Sequence, residues 1–122
     1  MTDVHIKRVY EPADDGDGYR VLVDRIWPRG IKKDEAGLDL WLKEAGTSAE
    51  LRKEFSHQPE KFEAFTLAYR KELDGSEALK RLLDLAREHP KLCLLYGAKD
   101  QTHNQAAVLR DMILEELGGK SG

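Results

Sequence analysis

The stretch YRVLVDRIWPRG (residues 19–30) decides how the rest of the chain is read. Val21, Leu22 and Val23 are consecutive apolar residues, two of them β-branched, and they leave no polar face. Strands buried on both faces belong to covered parallel sheets, so residues 19–24 are expected to form a central parallel strand. Pro28 has no N–H to give to a ladder and prevents the strand from continuing. The strand does not end in the usual small polar turn. Its exit holds an acid and two arginines, Asp24, Arg25 and Arg29, with Trp27 between them.

Upstream, residues 4–10 (Val4, Ile6, Val9, Tyr10) suggest another strand, with imperfect alternation. EPADDGDG (residues 11–18) has the proline, glycine and aspartate density of a loop, and reads as a solvated turn. It lacks the closing glutamate of a calcium loop. Downstream the period changes. Leu38, Trp41 and Leu42 fall at helical spacing, with Gly46 to end that short helix. Thr47 and Glu50 form a capping box that opens a helix carrying Leu51 and Phe55. Pro59 suits the first turn of the next helix. That helix has an apolar stripe of Phe62, Phe65, Thr66, Tyr69 and Leu73, and Asp74-Gly75 closes it. Ser76 caps another helix, with Leu79, Leu82, Leu83 and Ala86 inward. His89 complements its dipole and Pro90 stops it. Residues 92–96 (LCLLY) form the third strand. Thr102 and Gln105 make a second capping box before a last helix with Leu109, Met112, Ile113 and Leu117 on its apolar face.

Strands separated by helices predict an α/β domain over residues 1–117, with a tail at 118–122. The expected core is a small, mainly parallel three-stranded sheet packed by about five helices, Rossmann-like in broad layout. The first two strands are joined by too little chain for a normal helical crossover. A hairpin between them stays open as an alternative.

Composition narrows the function classes. The net charge is −3 over 122 residues, which argues against indiscriminate nucleic-acid binding. With one cysteine no internal disulfide can form, and Cys93 in its apolar run reads as a small buried hydrophobe. No cysteine–histidine spacing suggests zinc. No apolar run approaches membrane-spanning length and the first residues lack an apolar signal region, so a cytoplasmic protein with no membrane partner is expected. Composition names no cofactor and sets no oligomeric state.

In open parallel sheets, ligands bind beyond the carboxyl ends of the strands. Residues 24–30 and 97–104 fall there, and Tyr10 can join them. Arg25 and Arg29 suit a carboxylate or phosphate. Lys99 and Asn104 stand beside the last helix's N-terminus, where free N–H groups attract anions. These five residues are the expected binding set for a small anionic or nucleotide-like ligand. Asp24, Asp100 and His103 are the catalytic candidates, as general acid and base or as joint ligands of a divalent ion; no metal site is assigned. His103 is placed in the first turn expected for the last helix, where it suits hydrogen bonding, proton transfer or metal ligation. Simpler readings stand beside these. Asp24 and Arg25 can be ion-paired with neighbours, Trp27 can be packing, and Thr102, Gln105 and Asp100 can be caps. His5 and His57 read as surface or packing residues. No Walker loop, nucleophile elbow or dinucleotide fingerprint is present, so the choice between acting on a ligand and only binding it stays open. Two other classes remain. One is a nucleic-acid patch of Arg8, Arg20, Arg25, Arg29, Lys32, Lys33 and Lys99. The other is a protein-interaction module using charged helices such as residues 77–88.

The segments RVYEPADDGDGYRVLVDRIWPRG, LDLWLKEAGTSAELRKEFSHQPEKFEAF and LLYGAKDQTHNQAAVL cover nearly the whole chain. They resemble the "domain of unknown function 488" family, in its short, YeaO-like branch. The resemblance implies an α/β domain with a small parallel sheet and no particular activity. Longer members carry an aspartate–valine–arginine motif, then proline, serine and arginine, after their second strand. Asp24, Arg25, Pro28 and Arg29 match that motif in kind. After their last long strand the longer members carry a cysteine, a glutamate and a cysteine–histidine–arginine run. Tyr96, Ala98, His103 and Asn104 stand near it without its cysteines or glutamate. A thiol-based role therefore does not transfer; what carries over is the location, with arginines beside the last helix's N-terminus.

Overall fold

A computed structural model describes residues 3–118 apart from 33, 35, 56 and 57. Its sheet has four strands: β1 (Asp3–Arg8), β2 (Tyr19–Leu22), β3 (Leu40–Trp41) and β4 (Lys91–Tyr96). They lie in the order β1-β4-β2-β3, all parallel. The α/β class and parallel pairing are as expected. The counts are not: there are four strands rather than three, and four α-helices rather than about five among the described residues. These are α1 (Ala49–Phe55), α2 (Phe62–Leu73), α3 (Glu77–Glu88) and α4 (Gln105–Gly118).

The hairpin alternative is overturned, because β4 lies between β1 and β2 and is parallel to both. The ten residues 9–18 make the crossover without an α-helix, using only a 3-10 turn, Asp15–Asp17. At about 3.3 Å per extended residue they can reach roughly 33 Å. Returning along a strand needs about 20 Å and stepping over one neighbour about 10 Å, so an extended loop suffices.

The other correction is β3. Leu38, Trp41 and Leu42 match helical spacing but serve two faces of the sheet. Leu40 and Leu42 pack on the helical side, Leu38 and Trp41 on the opposite side. The segment is tied along β2 by Asp39 N–H to the Arg20 carbonyl and Leu42 N–H to the Leu22 carbonyl, both at 2.9 Å. Only after it does the chain wind, into a 3-10 turn, Lys43–Ala45.

The consecutive apolar residues do divide between two faces. Val21, Leu92, Leu94 and Tyr96 meet the four helices. Leu22, Cys93 and Leu95, with Val9, form a second buried cluster. Trp27, Ile31 and Leu38 of the β2–β3 connection cover it, with Trp41 of β3. The sheet is thus helical on one side and loop-covered on the other, which departs from a doubly wound layout. Trp27 belongs to this cover, edge-on to Trp41 at 5.1 Å, with its indole N–H donating to the Ile31 carbonyl at 2.7 Å. Cys93 is buried as expected.

Helix starts are one or two residues later than the capping boxes place them. Ser48, not Thr47, accepts the Leu51 N–H at 3.2 Å. Asn104, not Thr102, accepts the Ala107 N–H at 2.9 Å. Ser76 caps α3 as expected, accepting from Leu79 N–H at 3.1 Å. His89 closes α3 and stacks on Tyr19, ring centroids 4.1 Å apart. Residue 118 ends α4; residues 119–122, Lys33 and His57 lie outside the described residues. Among the described residues no helix is long and apolar enough to cross a membrane.

Candidate functional site

Beyond the carboxyl ends of β2 and β4 the chain leaves a cleft of about 280 Å³. Asp24 lines it. One carboxylate oxygen accepts the Gly97 N–H at 2.8 Å, and the other accepts the side-chain amide of Gln105. The carboxylate therefore joins the end of β2, the end of β4 and the first turn of α4. Burial pushes its carboxyl up to about 6, against the Gly97 and Gln105 hydrogen bonds and the more distant charge of Arg52. Position 97 must be small, because a Cβ there would stand 2.9 Å from the Asp24 carboxylate.

Arg25 turns away from its neighbouring acid. Its Nε donates to the Thr47 carbonyl at 2.9 Å and an Nη to the Gly46 carbonyl at 3.1 Å. Gly46 allows this approach, since a Cβ would sit 2.4 Å from the Arg25 backbone nitrogen. The carbonyl just before, on Ala45, accepts the buried Tyr69 hydroxyl of α2. Arg25 is thus a brace between two loops. Among the described residues neither Asp24 nor Arg25 takes part in a direct ion pair; both are satisfied by neutral groups instead.

The arginines left over differ. Arg29 is exposed at the cleft edge, its backbone held by the Tyr10 hydroxyl, which donates to the Arg29 carbonyl at 2.7 Å. Arg52, in the last turn of the short helix α1, lines the same cleft. Among the described residues, neither guanidinium makes a hydrogen bond or direct ion pair. Phe55, Phe65, Pro28 and Ala98 give the cleft apolar walls.

Of the expected residues, Asp24, Arg25, Arg29, Tyr10 and Asn104 line this cleft; Asp100, His103 and Lys99 do not. Asn104 is 1% exposed, and its amide donates to the Asp100 carbonyl at 2.9 Å while it caps α4. Asp100 closes the preceding turn, accepting the Thr102 and His103 N–H groups at 2.9 Å each. The His103 and Thr102 N–H groups hold its carboxyl well below the usual range. His103 Nδ1 is 3.0 Å from Asp100, and its ring meets Phe62 edge-on beside a separate shallow depression. The expected trio of Asp24, Asp100 and His103 is therefore not assembled around one cavity. Successive residues of an irregular turn project to different sides, which residue order does not reveal. Arg52 and Gln105 were missed as cleft residues. Gln105 offered only its capping signal, and nothing in the α1 pattern marked Arg52.

A second charged cluster lies at the other end of β2. Asp17 is 4% exposed; the Arg20 guanidinium and Lys7 ammonium donate to it, the latter at 3.2 Å, and so does the Asp14 N–H at 3.1 Å. Burial would raise the Asp17 carboxyl, and the three donors outweigh burial, so it falls below the ordinary value. Arg20, 5% exposed, also donates to the Gly37 and Ala36 carbonyls at 3.0 and 3.2 Å. This removes Arg20 from the expected nucleic-acid patch. Arg8 is engaged too, through the Ala98 carbonyl at 3.0 Å and the Tyr10 ring at 4.9 Å. Ligand atoms of His5, Asp17 and Cys93 lie within 4.8 Å of one another. The group does not suit a cation: Lys7 and Arg20 occupy the carboxylate, and burial pushes the Cys93 thiol up to about 11.

Comparison with known proteins gives a consistent relationship. The family model described as "Inactive DUF488-N3 subclade" matches residues 3–121. The uncharacterized protein YeaO of Escherichia coli (strain K12) is 49% identical over 112 residues, 91% of this chain and 96% of that protein. Uncharacterized proteins of Mycobacterium bovis and Mycobacterium tuberculosis (strain H37Rv) are each 50% identical over 84 residues, 69% of this chain and 71% of theirs. No solved structure matches.

Proposed function

The chain belongs to the DUF488-N3 family, in the subclade described as inactive, and from that premise we propose that it binds a small anion in the strand-end cleft without transforming it. The observation that carries this reading is the pair Arg29 and Arg52. Both guanidiniums line the cleft, and neither is hydrogen-bonded or directly ion-paired among the described residues. Asp24 is the only acid among the described lining residues, and Gly97 and Gln105 already satisfy both its oxygens. Guanidinium groups so placed complement a carboxylate or phosphate.

Three features support binding without turnover. The word "inactive" belongs to the family description. YGAKDQTHN (residues 96–104) lacks the cysteines and glutamate that the longer members carry in that region. Asp100 and His103 hydrogen-bond to each other outside the cleft lining.

The test is thermal unfolding with increasing inorganic phosphate. A ligand that binds only the folded state stabilises it by RT ln(1 + [L]/Kd). The midpoint should rise with phosphate for the parent protein and rise far less for Arg29→Ala combined with Arg52→Ala. An equal rise in both proteins would reject the cleft, and no rise in the parent would reject phosphate as its anion.

A further inference from the structure

We propose that the anion carries a compact apolar body: one aromatic ring or branched chain bearing a single carboxylate or phosphate. The head lies at Arg29 and Arg52, and the body lies between Ile26, Phe55 and Phe65. This rests on the anion-binding reading and names the class of ligand.

Three observations carry it. Ile26 is 60% exposed at the cleft edge, a large aliphatic group between Arg25 and Trp27 where a turn would ordinarily hold a polar residue. Among the described residues it belongs to neither buried cluster. One helical turn from Arg52 on α1, Phe55 stacks on Phe65 at 4.5 Å, and both are fixed in the core, so they present a rigid apolar wall. A bare inorganic anion would leave Ile26 wet; an apolar body would cover it against the edges of Phe55 and Phe65 and gain from it. Finally, about 280 Å³ falls just under the range of roughly 300–1,000 Å³ typical of sites for drug-sized molecules. One ring with its charged head is commensurate with a space of that size.

Calorimetric titration of matched probes tests this: acetate against benzoate, inorganic phosphate against phenyl phosphate, with benzyl alcohol and adenosine monophosphate as controls. Each aryl anion should bind roughly tenfold more tightly than its bare head, from the apolar area covered. Ile26→Ser, an exposed change, should shrink that gap, and Arg29→Ala should weaken every anion. If bare heads bind as tightly as aryl anions and Arg29→Ala weakens both, the apolar body is wrong and anion binding survives. If benzyl alcohol matches benzoate, or no probe binds, the anion reading itself fails. A gap unchanged by Ile26→Ser overturns the placement of the body, and adenosine monophosphate binding more tightly than phenyl phosphate overturns its size.

Discussion

The two ends of β2 carry the same pair of residue types and use them in opposite ways. At the entrance, Asp17 and Arg20 meet directly and are buried, with the half-buried Lys7 beside them. At the exit, Asp24 and Arg25 are adjacent in sequence and do not pair: the acid takes the Gly97 and Gln105 donors, the arginine the Gly46 and Thr47 carbonyls. The entrance closes on itself, with its charged side chains turned on one another. The exit binds its inner charges to neutral groups and leaves Arg29 and Arg52 for a visitor. Charge density alone therefore does not mark a site; what matters is whether the charges are already answered.

The sharpest way to break this contrast is Arg20→Ala. It leaves Asp17 in the interior with only Lys7 and the Asp14 N–H as donors and should cost about 1.5–3 kcal/mol in urea unfolding, as for a lost hydrogen bond to a charged group. A loss below about 1 kcal/mol would place the cluster with ordinary surface pairs. Gly46→Ala probes the exit brace, since its Cβ would strike the Arg25 backbone. A loss of about 1–3 kcal/mol is expected from overpacking, and a neutral result would show that the loop yields freely.

The two acids should also respond to pH with opposite sign. Asp17, lowered when folded, contributes stability that is present above its unfolded value near 4 and lost as pH falls through its folded value. Asp24, raised to about 6, is easier to protonate folded than unfolded, so stability should grow as pH falls from above 6 toward about 4. Urea midpoints of the parent should rise between pH 7 and 5, while those of Asp24→Asn stay flat; parallel curves would refute the Asp24 assignment. The smallest effect on stability belongs to Arg29→Ala, within about 0.5 kcal/mol as for a surface change, although it should abolish most phosphate-induced stabilisation. A large stability loss there would mean that Arg29 is a brace like Arg25.

Much of this was legible where local pattern and final environment agree. Val21 to Val23 and Leu92 to Leu95 announced buried parallel strands, and Ser76 announced its helix. Leu40–Trp41 was not legible, because two residues cannot display a period of two and their neighbours imitate a helix. Asp17 was hidden in a loop that reads as solvated. A usable signal stood three residues on: Arg20 inside an apolar strand requires a counter-charge, and the acids of the preceding turn are the nearest supply. The location of the cleft was legible from strand ends; its membership was not, since Arg52 arrives on a helix whose pattern speaks only of core packing, and Asp100 and His103 depart through a turn.

The insertion of β4 between β1 and β2 governs how the chain must assemble. Asp3 pairs with Lys91, far along the chain, and among the described residues β1 has no other partner in the sheet. On the ribosome both early strands emerge before the strand that joins them exists. They wait with unpaired edges until the last third of the chain is made. Such distant pairing slows folding and prolongs exposure of apolar edges. The hydrogen bonds that Asp24 makes to Gly97 and Gln105 become possible only in that final step, so the cleft is completed at the same moment as the sheet.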